Sequence, residues 1–144
     1  MVNCLDGGTG TFRQSGGSVT ISGLLYIGSN GGTGTYWQTG GVVTNYGHCV
    51  VGRNGGNGGR YVMEGGSLAV TMQALRIGLS SPGEFSISNG TVDVTYQTWV
   101  GENATGNGTF SGVPSLDVKG YSIRLSSDRK RVVVVRKGLT IIIQ

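Results

Sequence analysis

The chain has 144 residues, of which 29 are glycine and 2 are proline, and 12% carry a charge. This length fits one domain, and the low charge with moderate hydrophobicity excludes an intrinsically disordered chain. Glycine does not recur at every third residue, which excludes collagen. No run of about 18 apolar residues is present that could cross a bilayer as a helix.

Aromatic residues recur along the chain at intervals of 24 or 25 residues, each after a glycine-rich turn. They are Phe12, Tyr36, Tyr61, Phe85 and Phe110. A fixed period of this length indicates one supersecondary unit repeated along the chain. The units cover residues 7–30, 31–54, 55–80, 81–103 and 104–127, so residues 1–127 form one repeat region. The fifth unit keeps the pattern only in part.

Within each unit the hydrophobic pattern alternates with a period of two, as in a strand with one buried face. In the first unit, Val19 and Ile21 alternate with small hydroxyl residues, and Gly16, Gly23 and Gly28 divide the unit into three short strands. Three strands per unit at a constant period predict an all-β fold. We expect a single three-sided parallel β-helix, or β-solenoid, with about 24 residues per coil and five to six coils.

The alternation also predicts which residues face the interior. The first strands place the aromatic residues inside, followed two positions later by Gln14, Gln38, Met63 and Ile87. The second strands contribute Val19, Val43, Leu68, Val92 and Leu116, and the third strands contribute Ile27, Val51, Ile77, Val100 and Leu125. We therefore interpret the aromatic column as core packing and not as a platform for sugars.

The pattern G-T-G-T-[FY]-x-Q-[ST]-G-G-x-V-T, followed by an apolar strand ending in I-G or V-G, resembles the β-strand repeats of bacterial autotransporter passengers and related surface proteins. The resemblance covers Gly7 to about Phe110. It implies a right-handed parallel β-helix exposed outside the cell. It implies no catalytic residues, since the motif consists of turns and glycines.

Both ends of the chain differ from the repeats. Val2–Asp6 resembles the last strand of a preceding coil, which favours a fragment of a longer protein or end-to-end association. No secretory signal pattern is present at the start. Residues 128–144 carry two apolar runs and are expected to form a sixth coil, a cap or an oligomerisation segment. A cluster of basic residues lies there: Arg129, Lys130, Arg131, Arg136 and Lys137.

This basic cluster allows two interpretations. Polybasic segments bind phosphate or anionic lipid by releasing counterions. Charges placed between apolar strands also discourage aggregation of exposed sheet edges, and we favour this structural role. Nucleic acid is therefore disfavoured as a partner.

Residues for catalysis are sparse. Cleavage of a glycosidic bond needs two carboxyl groups a few ångströms apart. Asp93 and Asp117 are predicted to share one outward column, with Glu84 on another strand, and the single histidine, His48, lies at a corner elsewhere. We expect a protein that is not an enzyme, although these carboxylates leave a polysaccharide lyase or hydrolase open as an alternative.

No cofactor or metal is expected. The G-G-x-G stretches resemble a calcium-binding nonapeptide, but the position that must supply a carboxylate holds Phe12, Tyr36 or Arg60. Cys4 and Cys49 are almost two repeats apart, so we expect two small buried side chains and no disulfide.

The outward positions are the candidates for binding. The third strands place Tyr26, Val50, Arg76, Trp99 and Arg124 in one column, and Trp37 projects from a first strand. Exposed aromatic and arginine side chains are enriched at interaction sites. The second strands carry hydroxyl residues that could order water, as an ice-binding surface does.

These features together predict a non-enzymatic structural or adhesive segment of a bacterial surface or secreted protein. Its partners would be glycans or other surface proteins, or a second copy of the chain through uncapped ends or C-terminal strands. The alternatives are a carbohydrate-binding or carbohydrate-active β-helix and, less favoured, an ice-binding solenoid.

Overall fold

A computed structural model describes the backbone of residues 2–6, 8–55, 57–101, 108–112, 116–118, 121–125 and 132–136. Side chains are described for residues 8–55, 57–101 and 108–109. All regular structure in these ranges is β-strand. The strands are β1 Val2–Asp6, β2 Thr9–Gln14, β3 Ser18–Ile21, β4 Leu25–Ser29, β5 Thr33–Gln38, β6 Val42–Asn45, β7 Cys49–Arg53, β8 Gly58–Met63, β9 Ser67–Val70, β10 Leu75–Ile77, β11 Gly83–Ile87, β12 Thr91–Val94, β13 Thr98–Val100, β14 Gly108–Gly112, β15 Leu116–Val118, β16 Tyr121–Leu125 and β17 Val132–Arg136.

Three parallel sheets form the three sides of a β-solenoid. Sheet A has the order β1-β4-β7-β10-β13, sheet B has β14-β11-β8-β5-β2, and sheet C has β12-β9-β6-β3. Each strand therefore pairs with strands one coil away and not with its neighbours in sequence. The chain completes about four turns with roughly 24 residues per coil, which confirms the predicted fold class but with fewer coils than expected. Within the described ranges, no helix has the length and hydropathy needed to cross a membrane.

The register matches the predicted columns. The five aromatic residues are successive backbone partners in sheet B, and Gln14, Gln38, Met63 and Ile87 form the column two positions along. Ring centroids are 4.9 Å apart for Phe12 and Tyr36, and 4.8 Å apart for the next two pairs up to Phe85. Tyr36, Tyr61 and Phe85 are at most 1% exposed, so the aromatic column is core, as predicted. Phe12, at the first coil, is 42% exposed.

The two inward glutamines bond to the tyrosines of the following coils. The Tyr36 hydroxyl donates to Gln14 Oε1 at 2.8 Å, and the Tyr61 hydroxyl donates to Gln38 Oε1 at 2.6 Å. The Gln38 amide Nε2 donates in turn to two backbone carbonyl oxygens at 3.2 and 3.1 Å. These hydrogen bonds satisfy polar groups that would otherwise be costly to bury.

Burial raises the pKa of the Tyr61 phenol well above its ordinary value of 10.0, and the neighbouring Cys49 and Tyr36 add to this shift. The phenol therefore stays protonated and keeps its role as the donor to Gln38.

Glycines allow sheets A and B to approach each other at one corner. A Cβ atom on the first-strand glycines would collide with carbonyl oxygens of sheet A: Gly59 with Ile27, Gly83 with Val51 and Gly108 with Ile77. At Gly83 the collision also involves the Gly78 amide, which donates to the Val51 carbonyl at 2.7 Å. The glycine column therefore lies directly against the hydrogen bonds that join successive strands of sheet A.

The C-terminal strands leave the parallel pairing of the solenoid: β14 still extends sheet B and β15 lies beside β12, but β16 and β17 pair with neither sheet A nor sheet C. Strands β15, β16 and β17 form a separate antiparallel sheet. Leu116 pairs with Ile123, and Leu125 pairs with Val132, so neither joins its predicted column by backbone pairing. The physical reason is local: two residues separate β15 from β16, a spacing that suits a hairpin, whereas parallel pairing needs a much longer connection. The predicted role of residues 128–144 as a cap or an oligomerisation segment stays a prediction.

The glycine column predicts the effect of a single methyl group. We expect Gly83→Ala to lower the free energy of unfolding by about 1–3 kcal/mol, because the backbone must shift to relieve the collision. Gly16→Ala is the control, since nothing lies within 4 Å of its Cβ position, and we expect a change within about 0.5 kcal/mol. Urea unfolding of both variants measures this, and equal effects would contradict the close approach of the two sheets.

The buried phenol predicts a loss of stability at high pH. The folded state holds the Tyr61 proton to a higher pH than the unfolded chain, so its contribution is complete below pH 10.0 and is lost as the pH rises above it. This one group lowers the free energy of unfolding by at most about 1.4 kcal/mol per pH unit. Urea unfolding between pH 8 and about 11 measures the slope.

The double variant Tyr61→Phe with Gln38→Met removes the group and its partner together. We expect a shallower slope in that variant than in the unchanged protein. The same slope in both proteins would show that the Tyr61 phenol does not cause the pH dependence.

Candidate functional site

The predicted outward column of sheet A forms, but its first half is not accessible. Tyr26, Val50, Arg76 and Trp99 are successive backbone partners. Tyr26 is only 8% exposed and Val50 only 2%. The Arg53 guanidinium lies over the Tyr26 ring, 4.4 Å from its centroid. Tyr26 is therefore a covered side chain held by a cation–π contact, and not the exposed aromatic that alternation predicts.

In the second half of that column, only Trp99 is clearly accessible among the described side chains. Trp99 is 41% exposed, and its indole Nε1 donates to Gln97 Oε1 at 3.1 Å, so the ring is both accessible and fixed in orientation. Arg124 does not extend the column, because it pairs with Val133 in the antiparallel C-terminal sheet. The predicted five-residue surface is therefore reduced to Trp99 beside the half-buried Arg76.

Trp37 lies on the outer face of sheet B within a set of cross-strand contacts. The Arg13 guanidinium is 4.7 Å from the Trp37 ring centroid, and the indole Nε1 donates to Glu64 at 3.0 Å. Arg13, Gln14, Ser15, Trp37 and Thr39 line a surface cavity of about 320 Å³ beside these contacts. Arg13 on β2 covers one face of the Trp37 ring, and Val62 on β8 is the strand partner of Trp37 on the other side. Trp37 therefore contributes cross-strand packing to sheet B and does not present an open ring face to a ligand.

Strand pairing does not join the carboxylates that were considered for catalysis. Glu84 pairs with Arg60 at 3.2 Å. Asp93 is exposed opposite Ala69, and Asp117 pairs by backbone with Ser122, so the two are not ladder partners. His48 accepts a hydrogen bond at Nδ1 from the Ala74 amide at 3.2 Å, which gives it a role in the turn.

Metal chemistry has no support among the described residues, where no group of three or more histidine, cysteine or acidic side chains could hold an ion. Cys49 is fully buried, as expected of a small core side chain. Of the basic cluster, Arg129, Lys130, Arg131 and Lys137 lie outside the described residues, and Arg136 ends β17 with only its backbone described. A role for this cluster in binding an anionic partner stays a prediction.

The largest exposed apolar side chains were not predicted as a group. Met72 and Tyr96 are 67% and 68% exposed, and Tyr46 is 43% exposed. All three lie in the turn between the second and third strands of a coil, and Trp99 follows Tyr96 by three residues. Alternation continues outward from Val42 and Thr44 to Tyr46, but it does not predict the exposure of Met72 and Tyr96, which follow the ends of β9 and β12. The signal in the sequence is that the first unit has Ser22 and Gly23 where later units carry large side chains.

These features define a β-solenoid with a filled interior and with its accessible groups at strand faces and turns. Comparison of the chain with protein-family models, with curated proteins and with solved structures finds no match. Any function must therefore be argued from the geometry of the chain itself.

The two tryptophans should differ in their access to solvent. In the variant Trp37→Phe the remaining Trp99 is 41% exposed, whereas in Trp99→Phe the remaining Trp37 is partly covered by Arg13. We expect acrylamide to quench Trp99 fluorescence more strongly than that of Trp37. Stern–Volmer titrations of the two variants measure this, and stronger quenching of Trp37 would contradict the arrangement on sheet B.

Proposed function

We propose that the chain is a non-enzymatic structural segment that holds interaction surfaces on a rigid β-solenoid. The observation that supports this most is the continuous in-register stacking of the interior, from the aromatic column to the hydrogen-bonded glutamines. The inward side chains of this column bind one another, so any contact with other molecules falls to the outer faces and the turns. Stacked coils stabilise one another through their interfaces, as in other repeat proteins.

The wider setting of the proposal is a bacterial surface or secreted protein with autotransporter-like repeats, in which the segment would be extracellular. The support is the glycine-and-turn pattern of residues 7 to about 110, together with the solenoid that it forms. A structural role fits two of the described carboxylates, because Glu64 accepts a hydrogen bond from the Trp37 indole and Glu84 pairs with Arg60.

The alternatives have weaker support. A carbohydrate-active solenoid would need two carboxyl groups across a cleft, and a sugar platform at Tyr26 is obstructed by Arg53. An ice-binding face would need a regular array of hydroxyl groups. The two outer columns of sheet C instead read Thr20, Thr44, Ala69 and Asp93, and Ser18, Val42, Ser67 and Thr91, so Val42, Ala69 and Asp93 interrupt the array.

The proposal predicts tolerance of outward changes and no turnover. We expect the triple variant Thr20→Ala, Thr44→Ala and Asp93→Ala to change the free energy of unfolding by no more than about 0.5 kcal/mol per site. We also expect no new reducing ends when the protein is incubated with a panel of neutral and acidic polysaccharides. Urea unfolding and a reducing-sugar assay measure these outcomes.

The matched inward change is Val43→Ala in the same strand as Thr44. Val43 is fully buried, and its truncation should cost about 2 kcal/mol or more. Cleavage of a polysaccharide that disappears in Asp93→Asn would contradict the non-enzymatic role.

A further inference from the structure

One corner of the solenoid carries large exposed side chains in three successive coils. This corner joins sheet C to sheet A, and we call its exposed set the corner ridge: Tyr46, Met72, Tyr96 and Trp99. Their exposed fractions are 43%, 67%, 68% and 41%, respectively. Soluble proteins seldom group large apolar side chains at the surface without a function, whereas single ones are common.

Backbone hydrogen bonds show how the coils align at this corner. The Thr71 amide donates to the Asn45 carbonyl at 3.0 Å, and the Thr95 amide donates to the Val70 carbonyl at 2.9 Å. Tyr46, Thr71 and Thr95 are therefore equivalent positions in the three coils. Met72 and Tyr96 each come one residue after these positions and are therefore equivalent to each other in adjacent coils. Tyr46 lies one coil before Met72 and is offset from it by one residue along the chain.

The ridge consequently runs along the solenoid axis. Successive coils are separated by about 4.8 Å, so the tyrosines at its two ends are about 10 Å apart along the axis. Trp99 lies three residues after Tyr96 in the same coil and widens the ridge at that end. Each coil thus presents one large side chain at a spacing set by the backbone, and the last coil presents two.

The turns that form the ridge carry no charge. Residues 46–48, 71–74 and 95–97 include no lysine, arginine, aspartate or glutamate. The polar groups beside the aromatic rings are amides, hydroxyls and an imidazole. Some are already fixed: the Trp99 indole donates to Gln97, and His48 accepts from the Ala74 amide. His48 lies within the first turn, and the charged side chains nearest in sequence are Arg76, the strand partner of Trp99, Asp93 on sheet C and Glu102, three residues after Trp99.

The shape of the ridge argues against a protein partner. A stable protein interface needs about 800 Å² on each side and a two-dimensional contact surface. The corner ridge presents one large side chain in each of its first two coils and two in the last, so it is a narrow row along a corner and not a broad face. A linear polymer that follows the axis can touch every member of such a row.

We propose that the corner ridge binds an uncharged, extended β-linked polysaccharide lying along the solenoid axis. The apolar faces of sugar rings pack on aromatic side chains, and their hydroxyl groups bond to uncharged polar groups beside them. The length of one hexopyranose unit in an extended β-1,4-linked chain is close to the rise of one coil. Consecutive sugars therefore meet Tyr46, Met72 and Tyr96 in turn, with Trp99 beside the last.

The test uses soluble β-1,4-linked hexasaccharides of glucose, N-acetylglucosamine and mannose, each titrated calorimetrically against the full chain. We expect at least one to bind. Tyr96→Ala should weaken that binding about tenfold, as loss of one aromatic contact does. Val42→Ala is the matched control, because Val42 is also exposed, at 45%, but lies at the opposite end of β6 from Tyr46. Circular dichroism verifies that both variants are folded.

Several outcomes would overturn the proposal. They are no binding of any of the three hexasaccharides by the folded protein, an equal loss in Tyr96→Ala and Val42→Ala, or binding of polygalacturonate alone. Sedimentation of the unliganded protein tests whether a second copy of the chain binds the ridge. A dimer that Tyr96→Ala converts to a monomer would show that it does and would overturn the proposal. The proposed structural role is tested separately, by the urea unfolding and reducing-sugar assays described above, and the results of the binding experiment do not change that test.

Discussion

The fold depends on one constraint: each coil must place equivalent side chains on those of the coil before it. The parallel ladders of sheets A, B and C impose this register, and the interior must then accept stacked copies of the same position. Aromatic rings tolerate such stacking well at the coil spacing. Buried polar groups tolerate it only when neighbouring coils supply donor and acceptor in pairs, as Tyr61 and Gln38 do.

That pairing explains a sequence detail that the period alone leaves open. Tyr36 and Tyr61 each follow a coil with an inward glutamine, whereas Phe85 follows a coil in which Met63 occupies the equivalent position. The phenylalanine at position 110 likewise follows Ile87. Hydroxyl and amide therefore appear together and disappear together, which is the substitution pattern expected when an unpaired buried polar group is costly.

Much of the fold could be predicted from the sequence, because a period of 24 or 25 residues with internal alternation determines which positions stack. The exposed site could not. Alternation gives the direction of Tyr26 but not the presence of Arg53 over its ring. It does not predict the exposure of Tyr96, which lies in a turn. The period also predicted parallel strands after residue 112, where the short connection between β15 and β16 favours antiparallel pairing. Local connection length and side-chain cover act outside the periodic pattern.

The central claim, an in-register aromatic column, is tested most directly by nuclear Overhauser contacts between ring protons. The account predicts strong contacts between the rings of Tyr36 and Tyr61 and between those of Tyr61 and Phe85, whose centroids are 4.8 Å apart in each pair. It predicts none between Tyr36 and Phe85, which are two coils apart. Missing contacts in the adjacent pairs, or a direct contact between Tyr36 and Phe85, would contradict it.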